Sequence, residues 1–196
     1  MKRLRTLLLA ATLLTGPFAS AQFFQAGSDP FSRWSEMGTN HFRIVYPEGM
    51  DSLARAYLLD LEKWQPLVGQ SARMDPGRLQ WGRTPVILRP WNPYSNGSVA
   101  WAPKRMDLYT VPEPYGSLPQ SWMTQLSTHE SRHVVQMQLS YRRPFRWVNY
   151  LLGEMWSGVV SALYTPPVFL EGDAVVAETA LTASGRGRYA DFLNYY

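Results

Sequence analysis

The sequence contains no cysteine. That excludes disulfide staples and a lipid-modified cysteine anchor, so an exported chain of this kind must be stabilised by its core alone or by a core plus a metal. Charged residues are scarce at 17%, and beside 45% hydrophobic residues this excludes an intrinsically disordered chain. No stripe of basic residues interleaved with aromatics occurs, so a nucleic-acid partner is not expected. There is no internal repeat and no low-complexity tract. What is plentiful is aromatic side chains, at 14%, with 15 prolines and 14 glycines. With 196 residues, the chain suits one domain with many turns and a sizeable core.

The first 21 residues read as a separate unit. Lys2, Arg3 and Arg5 precede the apolar stretch Leu7 to Leu14, followed by Gly16-Pro17 and Ala19-Ser20-Ala21. A positive start, a short apolar middle and an A-x-A end predict a secretory signal peptide cleaved near Ala21. The apolar middle is too short to span a bilayer as a mature helix. The chain expected after cleavage, 22–196, carries sixteen basic and fifteen acidic residues, a net of +1, so the pI of 9.4 says little about partners. The expected location is outside the cytoplasm: periplasmic, outer-membrane-associated or secreted.

β-forming segments come first. The run 22–40, broken by Asp29-Pro30, reads as a lead-in arm. His41 to Tyr46 predicts a strand. Asp51 can cap a helix starting at Ser52, with Leu53, Tyr57, Leu61 and Trp64 at helical spacing; Pro66 should end or kink it. Thr84 to Leu88, Ser98 to Ala102 and Met106 to Val111 predict further strands, after a loop with an Asn96-Gly97 turn signal. Helices follow. Gln120 to Tyr141 has neither Pro nor Gly. Phe145 to Leu163 is apolar and reads as a core helix in preference to a membrane-surface one; with Arg146 and Glu154 inside it, it is not a transmembrane span. Thr165-Pro166-Pro167 opens a helix over 168–183, 184–188 is a flexible turn, and 189–196 begins a last helix. The order predicts an α+β fold.

The chemistry sits in His129-Glu130-Ser131-Arg132-His133. Residues i and i+4 share one helix face about 6 Å apart along the axis. Two imidazoles so placed can reach one ion at roughly 2.0–2.1 Å, with the intervening Glu130 beside it to accept a proton from a metal-activated water. A chance HExxH in a chain with only three histidines has odds on the order of one in several hundred. His41, at the start of a strand, reads as a half-exposed strand residue.

Catalytic zinc takes three protein ligands and an open position. No third histidine follows His133, so a downstream carboxylate is required, and Glu154 and Glu171 compete. Glu171 has the better surroundings. It lies early in a helix beside Gly172, and Glu178, two turns on and on the same face, can hydrogen-bond a ligating histidine. Glu154 lies among Leu and Trp with no second carboxylate at helical spacing.

HESRH followed by the proline-led FLEGDAVVAE resembles the gluzincins, the HExxH-plus-Glu zinc metallopeptidases, and within them the aminopeptidase-like branch. The chain is also similar, more loosely, to the N-terminal peptidase-like part of exported bacterial proteins that continue into a TolB-like β-propeller. The resemblance implies a zincin-like fold: a small N-terminal mixed sheet, the HExxH helix and a helical C-terminal lobe. It implies that His129, His133 and Glu171 hold zinc, that Glu130 is the general base, and that Glu178 supports a ligand. Ser98 to Ala102 would be the edge strand that pairs with an extended peptide or protein substrate. The gap of 37 residues between His133 and Glu171 is longer than the family's usual spacing, and Phe145 to Leu163 would fill it as an inserted helix. For the oxyanion donor, Tyr164, Tyr189, Tyr195, Tyr196 and Arg186 are equal candidates. Competing readings are a non-catalytic envelope binding or assembly module with a relic or structural metal site, an envelope protein that uses 145–163 at a membrane surface, and a metal-dependent hydrolase of non-peptide substrates.

Overall fold

The computed structural model describes residues 31–74, 83–91, 93–113, 119–140 and 146–189. The expected leader at 1–21 lies outside them. Five strands form one mixed sheet: β1 (Trp34–Gly38), β2 (Phe42–Pro47), β3 (Thr84–Arg89), β4 (Gly97–Trp101) and β5 (Lys104–Tyr109), in the spatial order β1-β2-β3-β5-β4. β2, β3 and β5 run parallel, while β1 and β4 are antiparallel strands at the two edges. Helices α1 (Asp51–Ser71), α2 (Trp122–Ser140), α3 (Arg146–Leu152), α4 (Glu154–Tyr164) and α5 (Pro167–Leu181) complete the α+β fold, with a 3-10 turn at Arg186–Arg188.

Alternation decides which sheet face is covered. Phe42, Ile44 and Tyr46 of β2 point the same way as Val86 and Leu88 of β3, and as Met106 and Leu108 of β5. All are buried against Ala54, Tyr57, Leu58 and Leu61 of α1 and Leu126 and Val134 of α2. Asp107 of β5, of opposite parity, is fully buried as well. A buried carboxylate needs charged donors. Arg89 supplies Nη2 at 2.7 Å from Oδ1, and Arg105 supplies Nε at 2.8 Å from Oδ2.

Several expectations need correction. The segment expected as a lead-in arm contains β1, which pairs with β2 through Glu36↔Val45 and its neighbours. Pro66 does not stop α1, which runs on to Ser71. An interior proline costs about 3 kcal/mol, but Leu61, Trp64, Val68 and Gly69 around it are all buried, and that packing outweighs the cost. Asp51 makes no cap; it stands in the first turn and accepts a 2.9 Å hydrogen bond from the Tyr46 hydroxyl. Gly97 belongs to β4 and not to a turn. The single core helix expected over 145–163 is two helices, α3 and α4, parted by Gly153 at φ +85°, a conformation glycine adopts without penalty. No described side chain of α3 or α4 is fully buried. α4 meets β4 through Gly158, where a Cβ would lie 3.1 Å from Trp101 Cγ, and β5 through Glu154, which pairs with Lys104 Nζ at 3.3 Å. The 184–188 segment is a packed turn and not a flexible one, as its contacts below make plain. Tyr189 is extended after that turn, and the rest of the helix expected at 189–196 lies outside the described residues.

Candidate metal centre

α2 buries Leu126, Val134 and Val135 on its inner side and turns His129 and His133 toward α5. α5 begins at Pro167, whose fixed φ suits the first helical turn, and Glu171 follows one turn later. The two elements are locked by a bidentate ion pair: Arg132 donates from Nε to Asp173 Oδ2 at 2.7 Å and from Nη2 to Oδ1 at 2.8 Å. Arg132 Nη1 also donates to Ser71 Oγ at 3.0 Å, which ties in the end of α1.

Three ligand-type atoms meet where the helices face each other. His129 Nε2 lies 3.2 Å from His133 Nε2 and 3.3 Å from Glu171 Oε2, and His133 Nε2 lies 3.5 Å from Glu171 Oε1. Four donors around zinc at about 2.0–2.1 Å have tetrahedral edges of about 3.3–3.4 Å. The nitrogen–nitrogen distance and the distances to the two carboxylate oxygens are each close to such an edge, and His129, His133 and Glu171, whose ligand atoms lie within 4.8 Å of one another, can hold a metal ion together. Two imidazoles and a carboxylate are a donor set suited to zinc or a similar transition metal rather than calcium or magnesium. Glu154 does not join the group: it accepts from Lys104 N at 3.2 Å and pairs with Lys104 Nζ. His41 also stands apart, with Nδ1 2.6 Å from Glu62 Oε2.

The outer nitrogen of each imidazole faces an acceptor. His133 Nδ1 lies 2.8 Å from Gln136 Oε1, and Gln136 Nε2 donates onward to the Leu170 carbonyl at 2.9 Å and to Asp173 Oδ2 at 2.7 Å. His129 Nδ1 faces Glu178 Oε2 at 3.6 Å. At His133 this partner favours the tautomer that carries hydrogen on Nδ1 and leaves Nε2 free for an ion, whereas Nδ1 of His129 stands between Glu178 and the donor Arg186 Nη2, 3.3 Å away. Glu178 is completely buried and is held by three donors. Arg186 reaches it through Nε at 2.9 Å and through its backbone N at 3.1 Å, and Gln120 Nε2 donates at 3.3 Å. The turn that carries Arg186 is built to lie close against α5. A Cβ at Gly185 would stand 2.4 Å from Thr179 Cα, and Gly187 N donates to Thr179 Oγ1 at 3.1 Å.

Charge in the cluster follows from this geometry. Burial opposes protonation of His129, but hydrogen bonds to Glu171 and Glu178 and the charge of Glu130 outweigh it and raise the pKa to about 9. His133 is raised in the same way, burial being overcome by Glu171 and Glu130. The two histidines hold Glu171 far below the ordinary carboxylate range. Glu178 is also lowered: burial opposes this, and His129 and Arg186 prevail. Glu130 moves the other way. Burial raises it, and the two histidines offset only part of the shift.

Glu130 lines a cleft of about 540 Å³ between β4, α2 and α5, whose walls include His129, His133, Glu171, Ser98 and Trp101. Its Oε2 is buried and has no hydrogen-bond partner in the protein, an acceptor left for a small polar molecule in the cleft. Gly97 makes room for it: a Cβ there would lie 2.4 Å from Glu130 Oε1. Of the oxyanion candidates, Arg186 lines the cleft, though it stands on the Nδ1 side of His129 with Nη2 3.3 Å away. Tyr164 is exposed, and Tyr195 and Tyr196 lie outside the described residues. Gln136, Asp173, Arg132 and Gly97 were not expected from the sequence. Gln136 stands three residues after His133 and Asp173 two after Glu171, so helical spacing from the ligand-type residues was the available signal.

No protein-family model, curated protein or solved structure gives a significant match to this chain.

Proposed function

We propose that this chain is an exported zinc peptidase with a zincin-like fold of the gluzincin type, in which His129, His133 and Glu171 hold the ion and Glu130 is the general base. The observation that carries this reading is the meeting of the His129 and His133 Nε2 atoms, 3.2 Å apart, with the two oxygens of the Glu171 carboxylate at 3.3 and 3.5 Å, beside a buried carboxylate with one unpartnered oxygen. Zinc bound there would bring the pKa of a coordinated water to about 7 and polarise a substrate carbonyl. Glu130 takes the proton of the attacking water and passes it to the leaving amine. Its upward-shifted pKa suits a group that must first accept a proton and then release it. Gln136 fixes the His133 imidazole in the ligating tautomer, Glu178 faces the outer nitrogen of His129, and Arg186 keeps Glu178 ionised and in place. β4 is an edge strand bonded within the sheet to β5 alone, and its residues Gly97 to Val99 line the cleft, which suits an extended peptide laid alongside it. Export rests on the leader pattern of residues 1–21.

The test is Glu130→Gln. It should bind zinc as the parent does and lose peptide hydrolysis by about 10²–10⁴-fold. Undiminished cleavage by that variant would remove Glu130 from the mechanism. A parent chain that binds zinc and cleaves no peptide would favour the non-catalytic module instead.

A further inference from the structure

The exposed apolar side chains of this molecule are not scattered. Of the fifteen large hydrophobic residues exposed among the described residues, ten fall between 147 and 176, on α3, α4 and α5. Trp147, Tyr150, Leu151 and Leu152 of α3 are each more than half exposed, as are Leu163 and Tyr164 of α4 and Val168 and Phe169 of α5. A folded monomer does not ordinarily concentrate its apolar surface in this way unless something covers it.

We propose that α3, α4 and the first turn of α5 form a docking surface for an anionic lipid bilayer. Three observations favour a bilayer over a protein. The first is charge. Between residues 141 and 170 the sequence has three basic residues, Arg142, Arg143 and Arg146, and one acidic residue, Glu154, which is already paired with Lys104. The sequence of this segment is thus net positive as well as apolar, the combination that binds anionic headgroups. The second is the kind of side chain. Trp147 and Tyr150, in edge-to-face contact at 6.3 Å, and Tyr164 carry an apolar ring with one polar atom, which suits the headgroup boundary. The third is shape. α4 is fixed to the sheet by Gly158 against Trp101 of β4 and by Glu154 on Lys104 of β5, while Met155, Leu163 and Tyr164 are exposed. No described helix is long and apolar enough to cross a membrane, so the mode is attachment to the surface and not insertion through it. The surface adjoins the cleft: Pro167 and Leu170 line the cleft, while Val168 and Phe169 between them are exposed. Docking there would bring the proposed peptidase site close to substrates that lie at a membrane.

The experiment is vesicle flotation of the full chain, compared with a Trp147→Ser/Leu151→Ser/Phe169→Ser variant. The vesicles are phosphatidylcholine alone or with about a third phosphatidylglycerol. The leader is common to both proteins, so their difference reports on the surface. The parent should float with the anionic vesicles, more weakly in high salt and with phosphatidylcholine alone, and the variant should lose at least about tenfold in partitioning. Circular dichroism and zinc binding should be equal in the two, which shows that the variant is folded and keeps this test separate from that of the metal site. Equal flotation of parent and variant, or none by either, would overturn the proposal. So would a parent dimer in light scattering that the triple substitution dissolves, since the patch would then be an interface between two copies. If the variant fails to fold, the single change Phe169→Ser, at the exposed start of α5, is measured in its place and must reduce flotation.

Discussion

Two regions of the chain that follows α2 are built on opposite principles. From Glu171 to Arg188, polar atoms are paired in depth: Arg132 with Asp173, Gln136 with His133 and Asp173, Arg186 with Glu178, and Gly187 N with Thr179 Oγ1. From Arg146 to Tyr164, no described side chain is fully buried, and the surface is Trp, Tyr, Leu and Met. A site that must hold ligand atoms within a few tenths of an ångström needs the first kind of construction. A surface that meets a fluid, non-directional partner needs only apolar area and charge. The contrast teaches that the long spacing between His133 and Glu171 leaves the site's geometry intact, because α5 is fastened to α2 by its own side chains and not by the segment that links them.

The largest effect expected from breaking this contrast is at a ligand. His133→Ala should weaken zinc binding by well over a hundredfold, as read by competition with a chromogenic chelator, since even partners of ligands cost about 10–100-fold. Gly97→Ala comes next. Its methyl group would collide with Glu130 Oε1, so hydrolysis should fall by about 10²-fold while zinc affinity stays within about threefold. Arg186→Ala leaves the buried Glu178 with only neutral donors outside the histidine, the backbone N of residue 186 and Gln120 Nε2, and should destabilise the fold by about 3 kcal/mol and weaken zinc binding by about tenfold or more. Calorimetry and zinc titration read the two effects separately.

A subtler test uses pH. The folded-state pKa of His129 without metal is about 9, above its ordinary value of 6.5. A group raised in this way contributes stability that is fully present below the unfolded value and is lost as pH rises through the folded one. The chelator-treated protein should therefore lose stability between about pH 6.5 and 9. The zinc-loaded protein should hold nearly level over the same range, because its ligating imidazole carries no proton and the unfolded one has already lost its own above the ordinary value. Melting curves at pH 6.5, 7.5 and 9, with and without chelator, would show a falling slope without zinc and a nearly level one with it; parallel slopes would contradict the account. The smallest effect lies in the other half. Tyr150→Ser should change stability by no more than about 0.5 kcal/mol, whereas Leu61→Ala in the core should cost about 2–5 kcal/mol.

Much of the site was legible because its chemistry is local. Residues one helical turn apart must share a face, so His129, Glu130 and His133 followed from spacing, and Pro166-Pro167 marked where α5 begins. Strand alternation located β2 to β5 within a residue or two. What was illegible depends on tertiary partners. β1 is an edge strand of half-buried residues and has no strong alternation of its own. Pro66 is tolerated because the helix around it is packed on both sides of the break, which no local rule records. Gly97 looks like a turn residue until Glu130 is brought against it from α2. The apolar run at 145–163 looks like core because hydropathy does not say which face will find a neighbour; the contacts of Gly158 and Glu154 show where α4 meets the sheet.

The central claim is a single zinc held by two histidines of α2 and one carboxylate of α5. Elemental analysis of the purified chain, with Glu171→Ala and Glu154→Ala beside it, measures this most directly. The account predicts one zinc per parent chain, one in Glu154→Ala, and near none in Glu171→Ala. A parent without zinc, or a Glu171→Ala variant that retains it in full, would contradict the account.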